Sequence, residues 1–196
     1  LILATHNDGK VEEFRSILET IDLEILSSKD FNLPEPKETE TSFIGNARIK
    51  SRASCQATNL PCLADDSGLE VAALGGAPGV YSARYAGVDI SDEKNIGKLL
   101  SEMKKRERRE AQLRTVIVLL IQNKKFFFEG IVNGKILTQL QGNGGFGYDP
   151  IFQPEGYSKS FGELPATLKN KISHRAKAFT KMLDYLHENP SIKIKN

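Results

Sequence analysis

Apolar residues recur along this chain in two rhythms. Val11, Phe14, Leu18 and Ile21 are spaced by three and four, as are Phe179, Met182, Leu183 and Leu186. That spacing puts each set on one face of a helix. Unbroken apolar runs at Leu1–Ala4 and Thr115–Ile121 suit strands, the second buried on both faces. Between them the pattern predicts a short strand at Leu23–Leu26 and a loop over Asn32–Glu40, which holds Pro34 and Pro36. A helix follows over Thr39–Thr58, with Phe43, Ala47, Ala53 and Ala57 on its apolar side. Pro61–Asp65 reads as a strand that breaks at Ser67-Gly68, with Leu69–Leu74 extending it or starting a neighbour.

The second half begins with turns at Gly75–Gly79 and a helix over Ser91–Arg106, capped by Ser91. The charge run Lys104–Glu110 reads as its solvated end. Phe126–Val132 and Lys135–Leu140 are strands, and Asn133-Gly134 between them is a hairpin signal, because both turn positions favour positive φ. The segment Leu164–Glu188 is helical after Pro165. Strand–helix alternation followed by a meander predicts an α/β protein with a mixed sheet.

Composition narrows the function classes. The chain has 196 residues, 39% hydrophobic and 27% charged, enough for one domain with a real core. A net charge of +2 argues against a dedicated nucleic-acid binder. The longest apolar run, Val116–Ile121, is too short to span a membrane. Cys55 and Cys62 lack metal-ligand spacing and read as thiols in a reducing compartment. No signal peptide is expected in a chain that opens on a strand, and Leu1 in place of an initiating Met implies missing leading residues. These features favour a cytoplasmic protein with no nucleic-acid or membrane partner.

Candidate chemistry sits in two clusters. The acidic one is Glu38, Glu40, Asp65 and Asp66, and the basic one is Lys10, Lys169, His174 and Arg175. Asn7 suits the N-cap of the first helix, which places Lys10 in its first turn. There a cation meets the positive helix end and wants an anion. Ser173 would likewise cap a helix with His174 and Arg175 in its first turn, which points to a bound phosphate. Magnesium takes one or two carboxylates plus substrate phosphates, and Lys and Arg hold the remaining phosphate charge. Gly142, Gly144 and Gly147 match a dinucleotide fingerprint, but the sequence after them favours extended chain, so a pocket wall with Phe146 free to stack is the better reading. Metal-assisted hydrolysis of a phosphoanhydride fits these groups. Neighbours on a strand face opposite ways, so one of Asp65 and Asp66 binds metal and the other is structural. Spacing does not say which.

In order, Leu3-Ala4-Thr5-His6-Asn7-Asp8-Gly9-Lys10, Ser42-Phe43-Ile44-Gly45-Asn46-Ala47, Ala64-Asp65-Asp66-Ser67-Gly68-Leu69, Gly75–Arg84, Gly144–Pro150 and Ile172-Ser173-His174-Arg175 resemble the inosine triphosphate pyrophosphatase family over nearly the whole chain. The resemblance implies one domain over residues 1–196, built as an elongated mixed sheet flanked by helices, with two lobes around a central active-site cleft. It implies cleavage of ITP, dITP and XTP to monophosphate and pyrophosphate, with Mg2+, in a homodimer. It makes Asp66 the base and a metal ligand, and Glu38 the second ligand with Glu40 as fallback. Thr5, His6, Asn7, Asp8, Gly9, Lys10, Ser67, Lys169 and Arg175 would hold phosphates or sugar. Phe146, Gly147, Tyr148, Asp149, His174 and Arg175 would define the base. Donors there would pair with the C6 keto oxygen of hypoxanthine or xanthine and be left unpaired against adenine's amino group. Many relatives have Glu where Gly45 stands, so any role of that Glu passes to another group here. A pyrophosphatase preferring pyrimidine or modified bases, and a nucleotide-binding regulator without catalysis, are the competing readings.

Overall fold

The computed structural model of the chain describes residues 1–18, 24–87, 91–121 and 123–192. Its elements are β1 (Ile2–Leu3), α1 (Asp8–Leu18), β2 (Leu26–Ser27), α2 (Phe43–Thr58), β3 (Cys62–Val71), α3 (Asp92–Met103), β4 (Glu110–Ile121), β5 (Lys124–Ile136), β6 (Phe152–Pro154), α4 (Ala166–Ile172) and α5 (His174–Glu188). The strands form a six-stranded sheet in the order β2-β1-β3-β4-β5-β6. β1 runs parallel to β2 and β3, and β5 antiparallel to β6. The link between β4 and β5 is too short for a crossover, so they too are antiparallel. The sheet is mixed, as the strand–helix pattern predicts.

Contacts divide the chain into two compact units. The first comprises Leu1–Asp66, Thr115–Gly130 and Arg175–Asn196, and the second Ser67–Arg114 and Ile131–His174, so β3, β4 and β5 contribute residues to both. Each has its own core. The first packs Leu3, Phe14, Leu63, Ile117, Leu119 and Phe179, with the Phe14 and Phe179 rings edge-on at 6.1 Å. The second packs Leu69, Leu99, Met103, Ile136, Phe152 and Phe161.

Local chemistry sets the helix starts. Asn7 Oδ1 accepts from the Lys10 backbone N–H at 2.9 Å, and Ser42 and Ser91 accept from Gly45 and Lys94. Each such cap contributes about 1 kcal/mol. Because Ser42 is the cap, α2 starts at Phe43 and not at Thr39. α3 ends at Met103, and the charged residues after it lead into β4. Of the strand expected at Leu23–Leu26, Leu26 falls on β2. Leu23, like Ile21 of the first helix pattern, lies outside the described residues.

Further expectations are overturned. β3 does not break at Ser67-Gly68 but continues to Val71, so the two aspartates lie mid-strand. Asn133-Gly134 is not a hairpin turn. β5 runs through it, and a Cβ on Gly134 would meet the Gln153 carbonyl oxygen at 2.3 Å. Glycine is there for close strand approach, while positive φ occurs instead at Asn123, between β4 and β5. The expected strand to Leu140 accordingly stops at Ile136. The final helical segment is two helices, α4 and α5, separated by Ser173 in extended conformation.

Candidate active site

Handedness places the helices around the aspartates. β1-α1-β2 steps one way along the sheet and β2-α2-β3 steps back past β1. Right-handed crossovers therefore put α1 and α2 on opposite faces. Along β3 side chains alternate. Leu63 and Asp65 face the core that α1 and α5 cover, and Asp66 faces α2.

Asp65 is fully buried. Its carboxylate accepts from Lys10 Nζ at 3.1 Å through Oδ1, with Oδ2 at 3.0 Å from the same nitrogen. Oδ2 also accepts from Arg175 Nε at 3.2 Å, and Arg175 Nη1 donates to Glu13 Oε2 at 2.9 Å. Burial pushes the Asp65 carboxyl upward, but Lys10, Arg175 and Lys50 outweigh it and hold the group well below the usual carboxylate range. Lys10 falls below the usual lysine value, because burial and repulsion from Lys50 and Arg175 exceed the attraction of Asp65. The residues before Lys10 shape the entry to α1. Thr5 Oγ1 accepts from the Asn7 N–H, His6 Nε2 lies 2.8 Å from the Leu33 carbonyl oxygen, and Asp8 pairs with Lys29 at the surface. Gly9 is half-buried in the first turn.

The other face centres on Lys50. Its ammonium, on a side chain 8% exposed, donates to Glu38 Oε1 at 2.9 Å and to Asp66 Oδ1 at 3.0 Å. Asp66 Oδ2 accepts from Asn46 Nδ2 at 3.3 Å, while Asn46 Oδ1 accepts from the Glu40 backbone N–H at 3.0 Å. Burial raises the Asp66 carboxyl above its usual value, against the pull of Lys50 and Lys10 and with help from Glu38. Burial opposes the charge on Lys50, but Asp66, Asp65 and Glu38 outweigh it and raise its pKa. The structure thus brings Glu38, and not the exposed Glu40, beside Asp66. The Glu40 stem lies against Gly45, where a Cβ would meet Glu40 Cβ at 2.6 Å.

Lys50, Asn46 and Glu13 are the members that sequence reasoning missed. A signal for two of them existed. Asn46 and Lys50 stand four apart on the face of α2 that also buries Phe43, Ala47, Ser51 and Ser54. Polar residues at helical spacing on a buried face need partners there.

The second unit holds the residues expected to read the base. Asp149 Oδ2 accepts from Lys169 Nζ at 2.6 Å and from the Phe146 N–H at 2.8 Å. The same ammonium sits 4.7 Å from the centre of the Phe146 ring. Gly145, at φ 73°, passes so close to the Asp149 carboxylate that a Cβ would collide with it. Tyr148 is buried and donates to the Ser82 carbonyl, and the Gly147 N–H donates to Asp92 at 2.6 Å. Ser82 Oγ accepts from the Leu69 N–H, so the Gly75–Arg84 stretch anchors β3 to the Tyr148 loop. The extended chain expected straight after the glycines is not found: a short 3-10 turn covers Asp149–Ile151 and the extended strand starts only at Phe152, with no α-helix opening there. His174 is the buried first residue of α5, and Ser67 is half-buried next to Asp66 on β3.

The anion expected at Arg175 is supplied by the protein. Asp65 and Glu13 carry the compensating charge, so a basic helix start is not in itself a sign of phosphate here. Lys10 is answered by Asp65 in the same way. The first unit places three cations, Lys10, Lys50 and Arg175, among four carboxylates, Glu13, Glu38, Asp65 and Asp66. Glu38 and Asp66 suit a hard divalent cation. They are oxygen donors held together at one positive charge, and magnesium fills out such a pair with water and phosphate oxygens. The cysteines are free thiols, and burial pushes Cys62 up to about 12. Among the described residues no helix is long and apolar enough to cross a membrane.

Known proteins are similar to this chain over most of its length. A "dITP/XTP pyrophosphatase" of Christiangramia forsetii is 47% identical over 187 residues, covering 95% of this chain and 98% of the relative. One of Flavobacterium johnsoniae is 44% identical, covering 95% and 97%. The solved structure of a HAM1 protein from Coxiella burnetii superposes with a TM-score of 0.87 at 36% identity, covering 95% of this chain and 98% of its own. The profile of the Ham1 family matches residues 1–185, and the chain belongs to the Ham1 family.

Proposed function

We propose that this chain is a magnesium-dependent nucleoside triphosphate pyrophosphatase. It would hydrolyse ITP, dITP and XTP to the monophosphate and pyrophosphate and keep deaminated purines out of DNA and RNA. The observation that carries the reading is the Glu38–Lys50–Asp66 arrangement, which gathers two carboxylates at one buried cation. The names of the relatives at 44–47% identity support the substrate class.

In this reading Glu38 and Asp66 hold the metal. Magnesium, when bound with the substrate's phosphates, supplies charge stabilisation at the phosphoanhydride and acidifies the attacking water. Asp66 accepts the proton of that water. Asn46 fixes its second oxygen. The water oxygen forms a bond to phosphorus, the bridging bond between the α and β phosphates breaks, and pyrophosphate leaves. Thr5, His6, Asn7, Asp8, Gly9, Lys10, Ser67, Lys169 and Arg175 are assigned to phosphates and sugar. Lys10, Lys169 and Arg175 already face carboxylates, so each would share its charge between that partner and the substrate. Phe146, Gly147, Tyr148, Asp149 and His174, with Arg175, are assigned to the base. The working form is proposed as one domain over residues 1–196, a cytoplasmic homodimer without nucleic-acid or membrane partners.

The test is product analysis with ITP, XTP, ATP, GTP and dUTP, with and without magnesium. Pyrophosphate released from ITP and XTP well above ATP, and only with the metal, is the expected result. Orthophosphate as the product overturns the reaction class, and preference for dUTP moves the chain to pyrimidine substrates. Tight nucleotide binding without turnover makes it a regulator.

A further inference from the structure

We propose that Lys50 is an internal competitor of the metal. It holds Glu38 and Asp66 together and keeps a bare divalent cation off them, so that metal loads only with the nucleotide. The inference rests on the reading of Glu38 and Asp66 as metal ligands.

The two carboxylates converge on one nitrogen, Glu38 Oε1 at 2.9 Å and Asp66 Oδ1 at 3.0 Å. Without a cation between them, like charges at such a site repel. The remaining Asp66 oxygen is engaged by Asn46 Nδ2. A divalent ion entering here must take oxygens that the ammonium holds, and the two positive charges cannot share them in contact. It must also shed tightly held water, which magnesium does reluctantly. The ammonium in turn is buried, on the inward face of α2. Drawn off the carboxylates inside the protein it would be an unpaired buried charge, so it needs another anion. A phosphate group provides one, since Lys bonds phosphate oxygens strongly. Arrival of nucleotide therefore frees the carboxylates for the metal in the same step, and the affinities for metal and nucleotide become positively coupled.

The experiment uses Mn2+ as the probe, titrated calorimetrically. Into wild-type protein alone its affinity is expected to be at least tenfold weaker than into protein saturated with α,β-methylene inosine triphosphate, after correction for Mn2+ held by the analogue in solution. Lys50→Gln, with Lys50→Met as the second variant, is expected to bind Mn2+ without nucleotide at least tenfold more tightly than wild type. The wild-type comparison stands whether or not either variant folds. Equal affinity with and without the analogue overturns the proposal, as does a folded Lys50 variant with unchanged or weaker Mn2+ affinity. If Lys50→Gln/Asp66→Asn keeps the tight binding of Lys50→Gln, the metal is not at Asp66 and the site assignment falls too. If Asp66→Asn abolishes both Mn2+ binding and pyrophosphate release while wild type and Lys50→Gln bind alike, only the competition falls.

Discussion

Asp65 and Asp66 are adjacent in the chain yet face opposite sides of β3, one held by Lys10 of α1 and Arg175 of α5, the other by Lys50 and Asn46 of α2. The alternation of a strand gives the two carboxylates different hydrogen-bond partners, while each still feels the other's lysine.

Their substitutions should therefore fail differently. Asp66→Asn is expected to lower pyrophosphate release by about 10²–10⁴-fold, the span of a lost general base, while nucleotide binding is largely kept. Asp65→Asn leaves half-buried Lys10 without its carboxylate and Arg175 with Glu13 in place of two acids, and is expected to cost about 3 kcal/mol of stability. Turnover assays and urea denaturation on both variants separate the two. Equal stability loss in both would mean the faces are not distinct.

Arg175 tests whether its main work is in the fold or at the base. The guanidinium answers Asp65 and Glu13 from different nitrogens. Lys cannot span both, so Arg175→Lys is expected to lose about 2 kcal/mol despite keeping its charge. The ratio of ITP to ATP turnover should move less in Arg175→Lys than in His174→Ala. The reverse order would assign base recognition to Arg175 first.

Gly45 is expected to resist alanine in spite of helix propensity. Gly→Ala inside a helix ordinarily stabilises by about 1 kcal/mol. Here the new Cβ would displace the Glu40 stem, and with it the Glu40 N–H bond to Asn46 that orients Asp66. Gly45→Ala should lower kcat by about tenfold or more, a displacement effect. Glu40→Gly added to it should restore activity by removing the clash. A Glu at position 45 cannot enter this chain without moving Glu40.

The pH dependence follows from opposite shifts. Asp65 titrates below its unfolded value, so its stabilisation is complete above about pH 3.9 and is lost as pH falls further, through its folded pKa. Asp66 titrates above its unfolded value, so it weakens the fold as pH rises through the window between about 3.9 and its folded pKa. Urea midpoints against pH should show the stability gap between wild type and Asp65→Asn closing only on the acid side of 3.9. In that same region wild type and Asp66→Asn should converge. The acid limb of kcat/KM should lie above the ordinary carboxylate value, since that limb reports the free protein's base.

Legibility in the sequence followed the range of the interactions. α1 and α3 were readable because their caps, Asn7 and Ser91, act within three residues and their apolar spacing is regular. β4 was readable from an unbroken apolar run. Asn133-Gly134 misled because its glycine answers a strand partner, Gln153, which local sequence does not contain. Arg175 was singled out for its charge, but its protein partners, Asp65 and Glu13, lie 110 and 162 residues away and were not legible locally.

By itself the sequence determined the α/β class, the order of the motifs, the acids and bases available and the family. These depend on residue identity and short-range periodicity. Tertiary structure decided that Asp65 meets Lys10 and Arg175, that Glu38 joins Asp66, and that Lys50 stands between them. Those pairings exist because crossover handedness lays α1 and α2 on opposite faces of one strand, a relation that no local stretch of sequence carries. Once folded, the adjacent Asp65 and Asp66 are two buried carboxylates with different partners on opposite faces of β3.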